Sequence, residues 1–258
     1  MSFIQLIPSR FTNLFPKKTK KTINFAGLVL LMILVGCQPA VSTAPPTPEV
    51  LRVAYTPAVK SLGESLHRCA ESLPLIGLAI DEVPADLLAS SSGDLTFRLG
   101  LPEKAPAYAA VVGWEEVVIV VNSANVVTSL PIQMVSDIYN GKIVQWNDVT
   151  PQGLSQPAQV WSYPPGDELN QIFQAAFLSG KTPAAPTYLA PDADAMLEAI
   201  SKNPAAIGFL LKSQLNGNVH QVVLSGETSD NLRQPILALA QAEPQGNLRQ
   251  LLLCLQKP

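Results

Sequence analysis

Three cysteines, two histidines and an aromatic share of 6% leave this 258-residue sequence poor in the side chains from which metal centres and nucleophile–base pairs are built. His67 and His220 stand alone, and Cys37, Cys69 and Cys254 fall in no Cys-x-x-Cys or Cys/His spacing. A Gly-x-Ser-x-Gly elbow is also missing. These absences argue against an enzyme and call for neither a metal nor a cofactor.

Acidic residues are missing from the first 36 positions, which hold Arg10, Lys17, Lys18, Lys20 and Lys21. The uncharged run 23–36 follows directly, too short before Pro39 for the roughly 20 apolar residues of a spanning helix. Basic cluster followed by apolar run is the layout of a signal peptide. The run closes on Leu34, Val35, Gly36 and Cys37, which resembles a bacterial lipobox, so Cys37 is the expected lipidation site and the expected attachment to a membrane. Removing residues 1–36 leaves twelve basic against twenty acidic side chains, a net charge of −8. That sign is wrong for a nucleic-acid binder, whose affinity comes from neutralising phosphates.

Residues 37–49 carry four prolines and read as a tether. Beyond it, short apolar β-rich runs alternate with helical periodicity, the pattern of an α/β fold. The spacing predicts strands at 50–55, 78–83, 95–99, 116–122, 207–211 and 220–224. It predicts helices at about 58–72, from Ser129–Pro131 to Gly141, and at 168–178, 193–202 and 246–255. The unbroken apolar run 117–121 suggests a parallel central strand covered on both faces. Cys69 and Cys254, near the two ends of the folded part, are read either as a disulfide or as two separate buried thiols.

The segment from Leu130 to Asp148 contains Asp137, Ile138, Tyr139, Asn140, Gly141, Lys142, Ile143, Trp146, Asn147 and Asp148, and it follows Val120, Val121 and Asn122. It resembles the phosphate-binding (PstS-like) solute receptors, as does the run Asn203, Pro204, Ala205, Ala206, Ile207, Gly208, Phe209. The resemblance covers about residues 50–258. It implies a type II periplasmic-binding-protein fold: two α/β lobes, each with a mixed, mostly parallel sheet, joined by two hinge crossovers. Lobe one would comprise 50–119 and 213–258, and lobe two 120–212. A lipoprotein of this kind would capture a small-molecule or anion ligand by lobe closure and deliver it to the permease of an ABC importer. The alternative is a receptor fold that has lost its ligand and contacts a protein partner without transport.

The family's Arg-x-x-Gly-Ser-Gly-Thr anion loop aligns with Trp161 to Glu168, where only Gly166 remains and Asp167 and Glu168 replace hydroxyl residues. Asp167 is placed as a helix N-cap, accepting the N–H groups an anion would need, so tight phosphate capture in the usual way is not expected. The ligand-binding candidates are Thr56, Ser91, Arg98, Tyr163, Gly166 and Asp167. Ser91 reads first as part of a solvent-facing turn and second as a hydroxyl donor to the ligand, and Arg98 either replaces the missing arginine from the opposite lobe or lies on an edge strand in water. Trp146 is expected in the core, while Trp161 and Tyr163 are expected near the cleft.

Overall fold

The first strand, β1 (Glu49–Tyr55), buries Leu51, Val53 and Ala54 and stops where Pro57 removes a ladder donor. The computed structural model describes residues 47–89, 92–102, 104–226 and 232–257. Cys37 and Ser91 therefore lie outside the described residues, as do the leader and most of the tether. Pro57–Val59 form a 3-10 turn, so helix α1 begins only at Leu62 and runs to Glu71 (Leu62–Glu71), later than its periodicity predicts.

Two half-sheets share one long strand. β2 (Ile76–Glu82) and β3 (Leu95–Leu99) both pair parallel with β1, and β11 (Arg233–Ala240) inserts antiparallel between β3 and β4 (Tyr108–Asn122). Residues 108–116 of β4 pair with β11. From Val117 the same strand pairs antiparallel with β8 (Ala206–Leu211) and then with β9 (Val219–Gln221). β6 (Gln159–Ser162) and β7 (Thr187–Leu189) extend the second half in parallel with β8. Burial follows this division, because β4 alternates along 108–116 and is continuously buried along 117–122. Helices cover both faces of the second half, and covered faces, not parallel neighbours, explain the unbroken apolar run.

Several sequence expectations shift. Ser129–Pro131 is not a helix start but strand β5, which pairs parallel with β10 (Val223–Ser225), and helix α2 (Ile132–Tyr139) follows it. β9 pairs with β4, and β10 pairs with β5 in a separate two-stranded sheet. β11 was not anticipated, because Pro235 interrupts it. The structure tolerates that proline because it lies just past the end of β3, where its carbonyl accepts from Gly100 N–H at 2.9 Å.

Three helices pack the second half: α2, α3 (Glu168–Phe177) and α4 (Ala193–Lys202). Phe173 of α3 stacks on Phe209 of β8 at 4.2 Å, with Tyr139 against the same ring pair. Gly208 is needed for α4 to close on the sheet, since a Cβ there would meet Met196 Sδ at 2.5 Å. Trp146 is fully buried and donates to Ala205 O at 2.9 Å, and Asn122 donates to Ile200 O and Ser201 O at the end of α4. Both resemblance motifs therefore serve packing. In the first half, α1 packs on α5 (Gly246–Leu255), and Cys69 is disulfide-bonded to Cys254 across a sequence separation of 185. Among the described residues no helix is long and apolar enough to cross a membrane.

Candidate functional site

The carboxyl ends of β1, β2 and β3 and those of β6 and β7 face a common crevice, the position where open α/β sheets gather ligands. Thr56 follows β1, Pro84–Asp86 follow β2, Arg98 and Leu99 end β3, and Tyr163–Asp167 follow β6. Residues from both half-sheets line a cavity of about 170 Å3, including Thr56, Asp86, Gly166, Asp167 and Glu168. A cavity of about 690 Å3 adjoins it beyond Arg98, and one of about 220 Å3 lies beyond Asp167.

Glu168, the first residue of α3, is the centre of the polar network and is only 2% exposed. Its Oε2 accepts from the Thr56 hydroxyl at 2.6 Å and from Leu99 N–H at 3.2 Å. Arg98 Nε stands 3.1 Å from Oε1, and the Arg98 side chain is 13% exposed. Neither atom of that pair has a hydrogen-bond partner among the described residues, so the contact is a charge pairing in which the N–H is not aimed at the oxygen. Hydroxyl, backbone N–H and guanidinium from the first half thus converge on a carboxylate from the second. Burial pushes the Glu168 carboxyl up to about 7, against the lowering effects of Thr56, Arg98 and Leu99 N–H.

Asp167 does what its position predicts. Its Oδ1 accepts from Leu169 N–H at 2.8 Å and from Asn170 N–H at 3.2 Å, so the second and third N–H groups of α3 are already used. Burial holds its carboxyl above the usual range. Gly166 carries φ +90, the left-handed region that favours glycine, and a Cβ there would make only ordinary contact with Asp86 at 3.4 Å.

The sequence candidates divide. Thr56, Arg98, Gly166 and Asp167 gather at the crevice, with Arg98 on a central strand and not on an edge. Tyr163 does not offer an exposed ring, since it is buried edge-on against Phe209 at 5.3 Å. Trp161 stacks instead on Tyr188 of β7, at the sheet's edge. Sequence reasoning missed the reach of Glu168, which leaves the helix terminus and crosses the crevice, and it missed Leu99 N–H and Asp86.

A family model described as the PBP superfamily domain matches residues 99–235. An ABC-type phosphate transport receptor from Vibrio cholerae superposes with a TM-score of 0.62 at 19% identity, covering 80% of this chain and 93% of that one. A putative phosphate ABC transporter substrate-binding protein with bound phosphate from Clostridium perfringens gives 0.64 at 16% identity, covering 80% and 92%. The Synechocystis PCC6803 CcmR regulatory domain in complex with 2-PG gives 0.61 at 13% identity, covering 81% and 96%. At these identities the likeness is one of fold. No curated protein matches the sequence.

Proposed function

Because the chain belongs to the PBP superfamily domain family, we propose that it is an extracytoplasmic solute-binding receptor of an ABC importer, held to the membrane by lipid on Cys37. It captures a small solute in the crevice between two lobes that meet along β4. One crossover falls near Glu116 and Val117, where β4 changes partners. Two lobes that close on a ligand shift population toward the closed form, which is the form a permease recognises.

The observation that carries this reading is the convergence of Thr56 Oγ1, Leu99 N–H and Arg98 on one carboxylate. Those groups are what an oxyanion needs from a protein. Here Glu168 is the occupant, and Asp167 has already taken the Leu169 and Asn170 N–H groups of α3. A free oxyanion must therefore displace a buried side chain and approach two acids, so inorganic phosphate binds weakly. The phosphate receptors that share the fold support the receptor class and not this ligand.

The experiment is a thermal-shift screen of the full-length chain against inorganic oxyanions, carboxylates, amines and neutral solutes. Stabilisation by one class, confirmed by calorimetry, supports a receptor. The filled oxyanion locus favours one second reading, a surface module that contacts a protein and takes no solute. No stabilisation by any solute selects that alternative.

A further inference from the structure

The clasp around Glu168 leaves one buried polar atom of the crevice unexplained. Tyr163 is 2% exposed, and its hydroxyl has no hydrogen-bond partner among the described residues. A buried donor–acceptor without a partner is a costly feature that calls for an explanation. Tyr163 lines the cavity of about 220 Å3, whose walls include Pro57 and Ala58 from the first half-sheet and Leu169 from the second.

The charge around that hydroxyl has one dominant sign. Glu82, Asp167, Asp192 and Asp194 line the cavity, with Lys60 as its one cation. Asp167 and Asp192 each spend Oδ1 on capping, the latter accepting Ala195 N–H at 2.8 Å, and neither Oδ2 has a partner among the described residues. Burial first, and then the charges of Asp167, Asp192 and Tyr139, push the Tyr163 phenol upward, so both aspartates act electrically on that hydroxyl. Among the described residues no group of three or more His, Cys, Asp or Glu side chains is arranged to hold a metal ion.

We propose that this cavity binds a small organic cation, a primary ammonium whose N–H groups are shared among Asp167, Asp192 and the Tyr163 oxygen. An ammonium has three donors and no acceptor, matching a site that offers oxygen acceptors and excess negative charge. The assignment rests on the receptor reading and names its ligand class. The oxyanion donors are satisfied by Glu168, and acid is what the neighbouring cavity presents to a solute. A ligand here touches Pro57 and Ala58 on one side and Tyr163 and Asp167 on the other, so it bridges the two half-sheets.

The test is calorimetry and thermal shift on the full-length chain at constant ionic strength, with propylamine, 1,4-diaminobutane, propionate and inorganic phosphate as probes. The amines are expected to bind and stabilise, and the anions are not. Tyr163→Phe removes a hydroxyl that has no protein partner, and Asp192→Asn keeps an N-cap oxygen, so both variants are expected to melt as the wild type does. Each is expected to weaken amine binding by about tenfold or more. Amines that fail to bind, or that bind both variants as they bind the wild type, overturn the assignment. If propionate or phosphate binds where amines do not, the ammonium site falls and the receptor stands. If none of the probes nor any solute of the wider screen binds, both fall.

Discussion

The Thr56 hydroxyl donates to Glu168 Oε2 at 2.6 Å, joining the end of β1 to the first turn of α3 across 112 residues of sequence. Leu99 N–H reaches the same oxygen at 3.2 Å, and Arg98 faces the other oxygen at 3.1 Å. Together these contacts tie the first half-sheet to the second through one buried side chain.

Its titration gives stability a definite pH slope. An acid raised from 4.5 to about 7 holds its proton more tightly when folded than when unfolded. Its contribution is therefore complete below about 4.5 and is lost as pH rises through about 7, on the order of 3 kcal/mol in all. Urea unfolding should show lower stability at about pH 8 than at about pH 5, and Glu168→Gln should flatten that slope. Asp167, also raised by burial, contributes a slope of the same sign that survives in the variant. Equal slopes in the two proteins would remove Glu168 as the source.

The cap at Asp167 separates helix stability from charge. Asp167→Ala should cost about 1 kcal/mol in chemical unfolding, while Asp167→Asn, which still accepts the Leu169 and Asn170 N–H groups, should cost little. A loss as large in the asparagine variant would assign the effect to the carboxylate's charge.

How far the sequence reveals this molecule depends on the range of each interaction. β3, α4 and α5 follow local periodicity within a residue of their predicted spans, and the Asp167 cap is legible because its partners lie two and three residues away. β11 is not legible, because Pro235 breaks the strand pattern and only the end of β3 makes the proline harmless. The first part of β4 is obscured by Ala109, Ala110 and Gly113, small residues that give a weak strand signal. Glu168 reads locally as one more acid at a helix start. Its partners at Thr56, Arg98 and Leu99 come from distant strands, and no local spacing announces them.

The Cys69–Cys254 disulfide closes nearly the whole folded chain and ties α1 to α5. Reduction should lower the unfolding free energy by on the order of 4 kcal/mol, chiefly by freeing the unfolded chain. The Cys69→Ala, Cys254→Ala double variant should show the same loss and no further response to reductant. Continued sensitivity of the double variant to reductant would place the effect elsewhere.

Attachment is separable from folding. Cys37→Ser should release the protein from membranes in fractionation without changing its melting temperature. A variant that stays membrane-bound would point to an uncleaved apolar anchor instead of a lipid.

Calorimetric titration of inorganic phosphate into the wild type and into Glu168→Ala addresses the clasp most directly. With the carboxylate gone, Thr56, Arg98 and Leu99 N–H are free to receive an oxyanion, so the variant should bind phosphate at least about tenfold more tightly than the wild type. Submicromolar phosphate binding by the wild type, weakened when Glu168 is removed, would mean that this carboxylate helps to hold the anion and does not take its place.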